Sequence, residues 1–176
     1  SLMGFTLLKP VHLLWINLVT DCFPALGLGM EKAEKDIMKR KPRNPNESLF
    51  DSLLVKEICI TGLFMGIIVF GVWSYLVGVK KFDIVTARSY TLILMVFIQN
   101  VHVFNCRSEV ISIFKKKIKD NINLVIGIVL VLLLQCIVSE STHLSNFLGV
   151  VPIPFKDVII LFLFAIPYKV SPFLTI

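Results

Sequence analysis

Long apolar runs decide what this chain can fold into. Five of them appear along 176 residues, at about 11–30, 53–79, 89–106, 122–138 and 158–176. At 1.5 Å of rise per residue, a helix of about 18–20 apolar residues crosses the hydrocarbon of a bilayer. Long uncharged apolar runs of this length mark a membrane protein. The expected fold is therefore all-α, a polytopic membrane bundle with five transmembrane helices. Composition agrees: 56% of residues are hydrophobic and 17% charged, against about 25% charged in soluble domains.

The net charge of +6 is read as a topology signal, with no nucleic acid expected as a partner. Lys32, Lys35, Lys39, Arg40, Lys41 and Arg43 fall in the connection 31–52, and Arg107 with Lys115, Lys116, Lys117 and Lys119 in 107–121. The other connections carry only Lys80, Lys81 and Arg88, or Lys156. The positive-inside rule makes 31–52 and 107–121 the cytosolic loops. The KKKIK run at 115–119 is suited to anionic lipid headgroups. The first span then enters from outside, and the chain opens at Ser1 with no basic leader, so it reads as a fragment with membrane helices upstream. Asp51 or Ser52 is expected to cap the second helix and Asp120 or Asn121 the fourth. Cys22, Cys59, Cys106 and Cys136 lie in or beside apolar runs without a CxxC pair, and are expected to be buried free thiols.

The first span holds the chemistry. Residues 13–43 read LLWINLVTDCFPALGLGMEKAEKDIMKRKPR. A carboxylate at the centre of a span costs about 2.5–3.5 kcal/mol on insertion scales and marks a binding or pairing role. On an α-helix Asn17, Thr20 and Asp21 stand at i, i+3 and i+4, hence on one face. An amide, a hydroxyl and a carboxylate are the hard oxygen donors that calcium takes. Pro24 removes a backbone donor, and Gly27 and Gly29 are expected to loosen the turn that follows. In the third span, Gln99 and Asn100 interrupt an apolar run, with His102 and Asn105 close behind; interhelical hydrogen bonding is the plain alternative for each. Gly62 and Gly66 form a GxxxG suited to close helix contact. Trp15, Trp73 and Tyr75 are read as packing and interface residues.

The string WINLVTD, followed by PALGLGM and DIMKRKPR, resembles the sixth membrane helix and following loop of P-type cation pumps, with the calcium branch of the type II group nearest. The five spans resemble the sixth to tenth helices of such a ten-helix pump. The resemblance implies that Asn17, Thr20 and Asp21 coordinate the transported calcium. It implies that upstream helices and cytosolic domains of the same pump complete the ion cage, bind ATP and magnesium, and form an aspartyl phosphate. IQNVHVFN resembles the family's eighth helix, where the Gln99 position can reach the ion and is typically glutamate in two-ion calcium pumps. Glutamine keeps the oxygen and loses the charge, which implies one calcium per cycle. The last segment, AIPYKVSPFLTI, departs from the family's usual acidic-then-Lys ending. The sequence holds no DKTGT, no GxxxxGK[ST] and no HExxH, so this stretch does not hydrolyse ATP alone. The other readings are a sodium/potassium or proton pump of the same group, and a non-catalytic membrane assembly or conduction module. Either pump reading places the chain in a plasma membrane or an internal storage membrane.

Overall fold

A computed structural model describes residues 8–31, 33, 37–39, 52–106 and 121–165. Among these every regular element is helical. The first span, Pro10–Gly29, is one continuous rod of three parts: α1 (Pro10–Trp15), a π-helical segment (Ile16–Asp21) and α2 (Cys22–Gly29). There follow α3 (Ser52–Gly78), α4 (Ile84–Asn105), α5 (Ile122–Glu140), the short α6 (Thr142–Leu148) and α7 (Phe155–Ala165). Four of the described helices are long and apolar enough to cross a membrane. The fifth expected span is described only as far as Ala165, and 166–176 lie outside the described residues. So do most of the basic loops 31–52 and 107–121, including the KKKIK run.

The exterior has the character of a membrane protein. Leu63, Phe64, Ile67 and Phe70 of α3, and Phe162, Leu163 and Phe164 of α7, are exposed. Contiguous apolar surface of this kind is stable against acyl chains and unstable in water. The cysteines follow the same logic. All four are free, as expected, but exposed rather than buried. Lipid supplies the apolar surroundings that a protein core was expected to supply.

α4 is the central helix. Two thirds of its spanning window, 67%, is buried, against 17% for α3 and 33% for the first span and α5. One side of α4 packs Leu94, Phe97 and Ile98 against Val69 and Trp73 of α3 and Leu161 of α7. The other side meets the first span, with Leu92 clustered with Ile16 and Val96 with Val19. Asp83 accepts from the backbone N–H groups of Val85 and Thr86 at 3.1 Å. This cap starts α4 at Ile84, five residues before the sequence pattern puts it. Arg88, read as a loop cation, is consequently a buried helical residue. The Tyr90 hydroxyl donates to Asp157, tying α4 to the first turn of α7.

α5 lies antiparallel to the first span in a register that repeats at every turn. Gly27 meets Leu124, and Gly127 meets the backbone of Phe23. Val19 clusters with Val131, and Trp15 donates its indole N–H to Gln135 at 3.0 Å. Each step is about four residues on both helices, so the i±4 row 15, 19, 23, 27 faces α5. A Cβ on Gly27 would stand 2.7 Å from Leu124 Cα. Gly27 thus serves close helix approach, and the rod continues unbroken to Gly29; the loosening expected at Gly27 and Gly29 is not found. The GxxxG of α3 behaves oppositely, because added Cβ atoms at Gly62 and Gly66 meet nothing within 4 Å.

Asn121 fixes the end of this pair near Gly27. Its Oδ1 accepts from Leu124 N at 3.0 Å as the expected N-cap of α5. Its Nδ2 donates to the Gly27 carbonyl at 2.7 Å and to Glu31 at 2.6 Å. At the opposite end His12 is fully buried. Lys9 N donates to its Nδ1 at 3.2 Å, which leaves the proton on Nε2, 2.6 Å from the carbonyl of Leu148. α6 ends there at Gly149, whose φ of 63° provides the left-handed cap.

Candidate ion-binding site

The three residues singled out in the first span lie in its π segment, Ile16–Asp21. The cause is local. Pro24 has no N–H, and its ring collides with the carbonyl four residues back, that of Thr20. Widening the preceding turn to i→i+5 spacing relieves that collision, and such π bulges recur at functional sites.

Widening also changes which residues share a face. Thr20 lies in the row of His12, Ile16 and Pro24, all buried. Asn17 and Asp21 lie in the next row, with Leu13, Ala25 and Gly29, all exposed. The single oxygen face expected from α-helical spacing is therefore two adjacent rows, and the described helices do not enclose the Asp21 carboxylate. Thr20 is 1% exposed, and its Oγ1 has no hydrogen-bond partner.

Across the seam, α4 contributes further oxygens. Gln99 is half-buried, and its Oε1 lacks a hydrogen-bond partner. Asn100 is 4% exposed. Its Nδ2 donates to the Val96 carbonyl at 2.7 Å, while Oδ1 has no partner. A buried polar atom left unsatisfied costs about 1–3 kcal/mol. Orphaned oxygens on two facing helices are thus an arrangement suited to something electropositive. His102 lies one turn from Cys106, with Nε2 and Sγ 3.5 Å apart, toward the C-terminal end of α4 from this level.

Among the described residues no three His, Cys, Asp or Glu side chains gather as a metal cluster. The donor set is instead neutral amide and hydroxyl oxygen plus one carboxylate. Such a set suits a hard cation and gives nothing to a soft one. Sequence reasoning missed Gln135, buried beside Trp15, and the tie from Asn121 to Gly27. A lone Gln late in an apolar run was the visible signal for the first; the second depends on a contact 94 residues away in the chain.

Fold and side-chain pattern define a polytopic helical membrane protein with polar oxygens in the middle of its first and third long helices. Residues 5–171 match the family described as cation transporting ATPase, C-terminus, and the chain belongs to that family. It is 32% identical over 174 residues to calcium-transporting ATPase 1 of Bacillus cereus, covering 89% of this chain and 19% of that protein. It is 34% identical over 131 residues to a calcium-transporting ATPase of Bacillus subtilis, covering 74% of this chain and 15% of the relative. A sodium/potassium exporting P-type ATPase of Schizosaccharomyces pombe is 36% identical over 66 residues, covering 38% of this chain and 6% of the relative. The chain therefore spans less than a fifth of the length of these curated relatives.

Proposed function

We propose that this chain is the C-terminal membrane part of an ATP-driven calcium-exporting pump, and that Asn17, Thr20 and Asp21 supply oxygens to the transported ion. Gln99 is a weaker donor from α4. The carrying observation is the π segment. It sets a carboxylate, an amide and a hydroxyl at mid-span, in a family of cation-transporting ATPases.

The exposure of Asn17 and Asp21 is part of this reading. A carboxylate facing acyl chains at that depth is unfavourable by several kcal/mol. In the pump, further membrane helices cover this row and bring the remaining calcium ligands, since calcium takes 6–8 oxygens. ATP and magnesium are bound in cytosolic domains of the same pump, where the aspartyl phosphate forms. Phosphorylation biases a two-state membrane domain, and altered access to the site carries calcium out of the cytosol. The loop 31–52 leaves directly from the ion-binding rod and transmits that bias. With glutamine at position 99, one site has enough negative charge, and one calcium moves per ATP.

The test uses the full-length pump in inside-out vesicles. Asp21→Asn should abolish ATP-dependent uptake of radioactive calcium while the protein still reaches the membrane. Uptake at the unmutated level in that variant would reject the reading. Two calcium ions counted per ATP would reject the stoichiometry alone. Partial likeness to a sodium/potassium exporter supports a second reading, that of a monovalent-cation pump. ATP hydrolysis stimulated by sodium or potassium and indifferent to calcium would decide for it.

A further inference from the structure

We propose that Asn100 is a direct oxygen ligand of the transported cation, reached from the buried Thr20 row rather than from the Asn17–Asp21 row. This rests on the reading of the chain as part of a cation pump. The family resemblance assigns the α4 donor to Gln99, one residue earlier.

Three observations carry it. First, the amide is oriented: Nδ2 is held on the Val96 carbonyl at 2.7 Å, so Oδ1 is the end left to face a ligand. Second, that oxygen is buried with no hydrogen-bond partner, in a side chain only 4% exposed. The Gln99 Oε1 is also buried without a partner, but its side chain as a whole is only half-buried, and among the described residues no hydrogen bond is found that orients its amide. Third, Asn100 lies one turn beyond Val96, which clusters with Val19 of the π segment. Thr20, next to Val19, presents another buried oxygen without a partner, in a side chain only 1% exposed. Val19, Val96 and Val131 surround this level with apolar groups. An oxygen dipole in such low-dielectric surroundings interacts strongly with a cation.

The π segment then divides the donors by role. Asp21 with Asn17 supplies charge on the outer row. Thr20 with Asn100 supplies neutral oxygens on the inner row, where removing a hydrated cation's water needs replacement donors.

The experiment measures calcium uptake against free calcium in inside-out vesicles carrying the full-length pump. Asn100→Leu removes the oxygen at similar volume. It should raise the calcium for half-maximal uptake by about tenfold, about 1.4 kcal/mol of lost binding, with the maximal rate retained. Asn100→Asp gives up the Nδ2 donor to Val96 but keeps an oxygen and adds charge, and the added charge should lower that concentration by roughly threefold or more. Unchanged half-saturation in Asn100→Leu overturns the proposal. So does a reduced maximal rate at unchanged half-saturation, the result expected of a packing residue. If Asn100→Leu fails to reach the membrane, Asn100→Asp decides, and an unmoved half-saturation there overturns it equally. An Asp21→Asn control separates the two claims. Normal uptake in that control sinks the pump reading itself, whereas its loss alongside unaffected Asn100 variants sinks only the role of Asn100.

Discussion

Gly27 shows how one missing methyl sets the position of the whole first span. A Cβ there would stand 2.7 Å from Leu124 Cα and 3.2 Å from its Cβ. The nearest atom is backbone, so α2 and α5 would have to separate. Gly27→Ala should therefore destabilise the protein by about 1–3 kcal/mol, the usual cost of overpacking. The measurement is thermal inactivation in detergent. Gly66→Ala is the control. It lies inside α3 with nothing within 4 Å of the added Cβ, and it should gain about 0.5–1 kcal/mol from helix propensity alone. A Gly27→Ala variant as stable as Gly66→Ala would contradict the close approach. Asn121 acts beside this contact, capping α5 and holding the Gly27 carbonyl with one side chain.

At the scale of the element, α4 owes its start to a carboxylate. Hydrogen bonds from Thr86, through side chain and backbone, and from the Val85 backbone hold Asp83 below the ordinary carboxylate range. A folded value below the unfolded one means the cap contributes stability above the unfolded pKa. That contribution is lost as pH falls through the lower folded value. Amide-exchange protection at Val85 and Thr86 should accordingly be full at neutral pH and drop as the solution is acidified below about pH 4. Asp83→Asn should remove most of that pH dependence while keeping a partial cap. Protection that is flat with pH in the unmutated protein would contradict the assignment. The same element explains Arg88: once Asp83 starts the helix, the arginine falls within it, whatever its charge suggests.

At the scale of the molecule, the arrangement is a central α4 with the first span and α5 on one side and α3 and α7 on the other. α5 and α7 are linked by α6, whose end His12 grips through the Leu148 carbonyl. From loop charge we propose that this link lies outside and the basic loops inside. In a background without native cysteines, His143→Cys in α6 should react with a charged, impermeant maleimide added outside. Lys39→Cys, exposed in the turn Ile37–Lys39, should react only from the cytosolic side. The opposite pattern would invert the orientation. α3 packs mainly on α4, with its GxxxG face open.

The sequence by itself determined that the chain is a bundle of membrane helices. Long apolar runs leave the backbone no other way to satisfy its hydrogen bonds in hydrocarbon. It also pointed to the mid-span oxygens of Asn17, Thr20 and Asp21, because polar side chains are conspicuous against apolar neighbours. Only the tertiary structure decided how those oxygens divide. Pro24 widens the turn, and Thr20 goes to the seam with α4 while Asn17 and Asp21 go outward, a split that α-helical spacing does not foresee. The outward cysteines, the role of Gly27 and the orphaned oxygen of Asn100 were equally out of reach. Each depends on which neighbour a helix face meets, and residues far apart in the chain supply that neighbour.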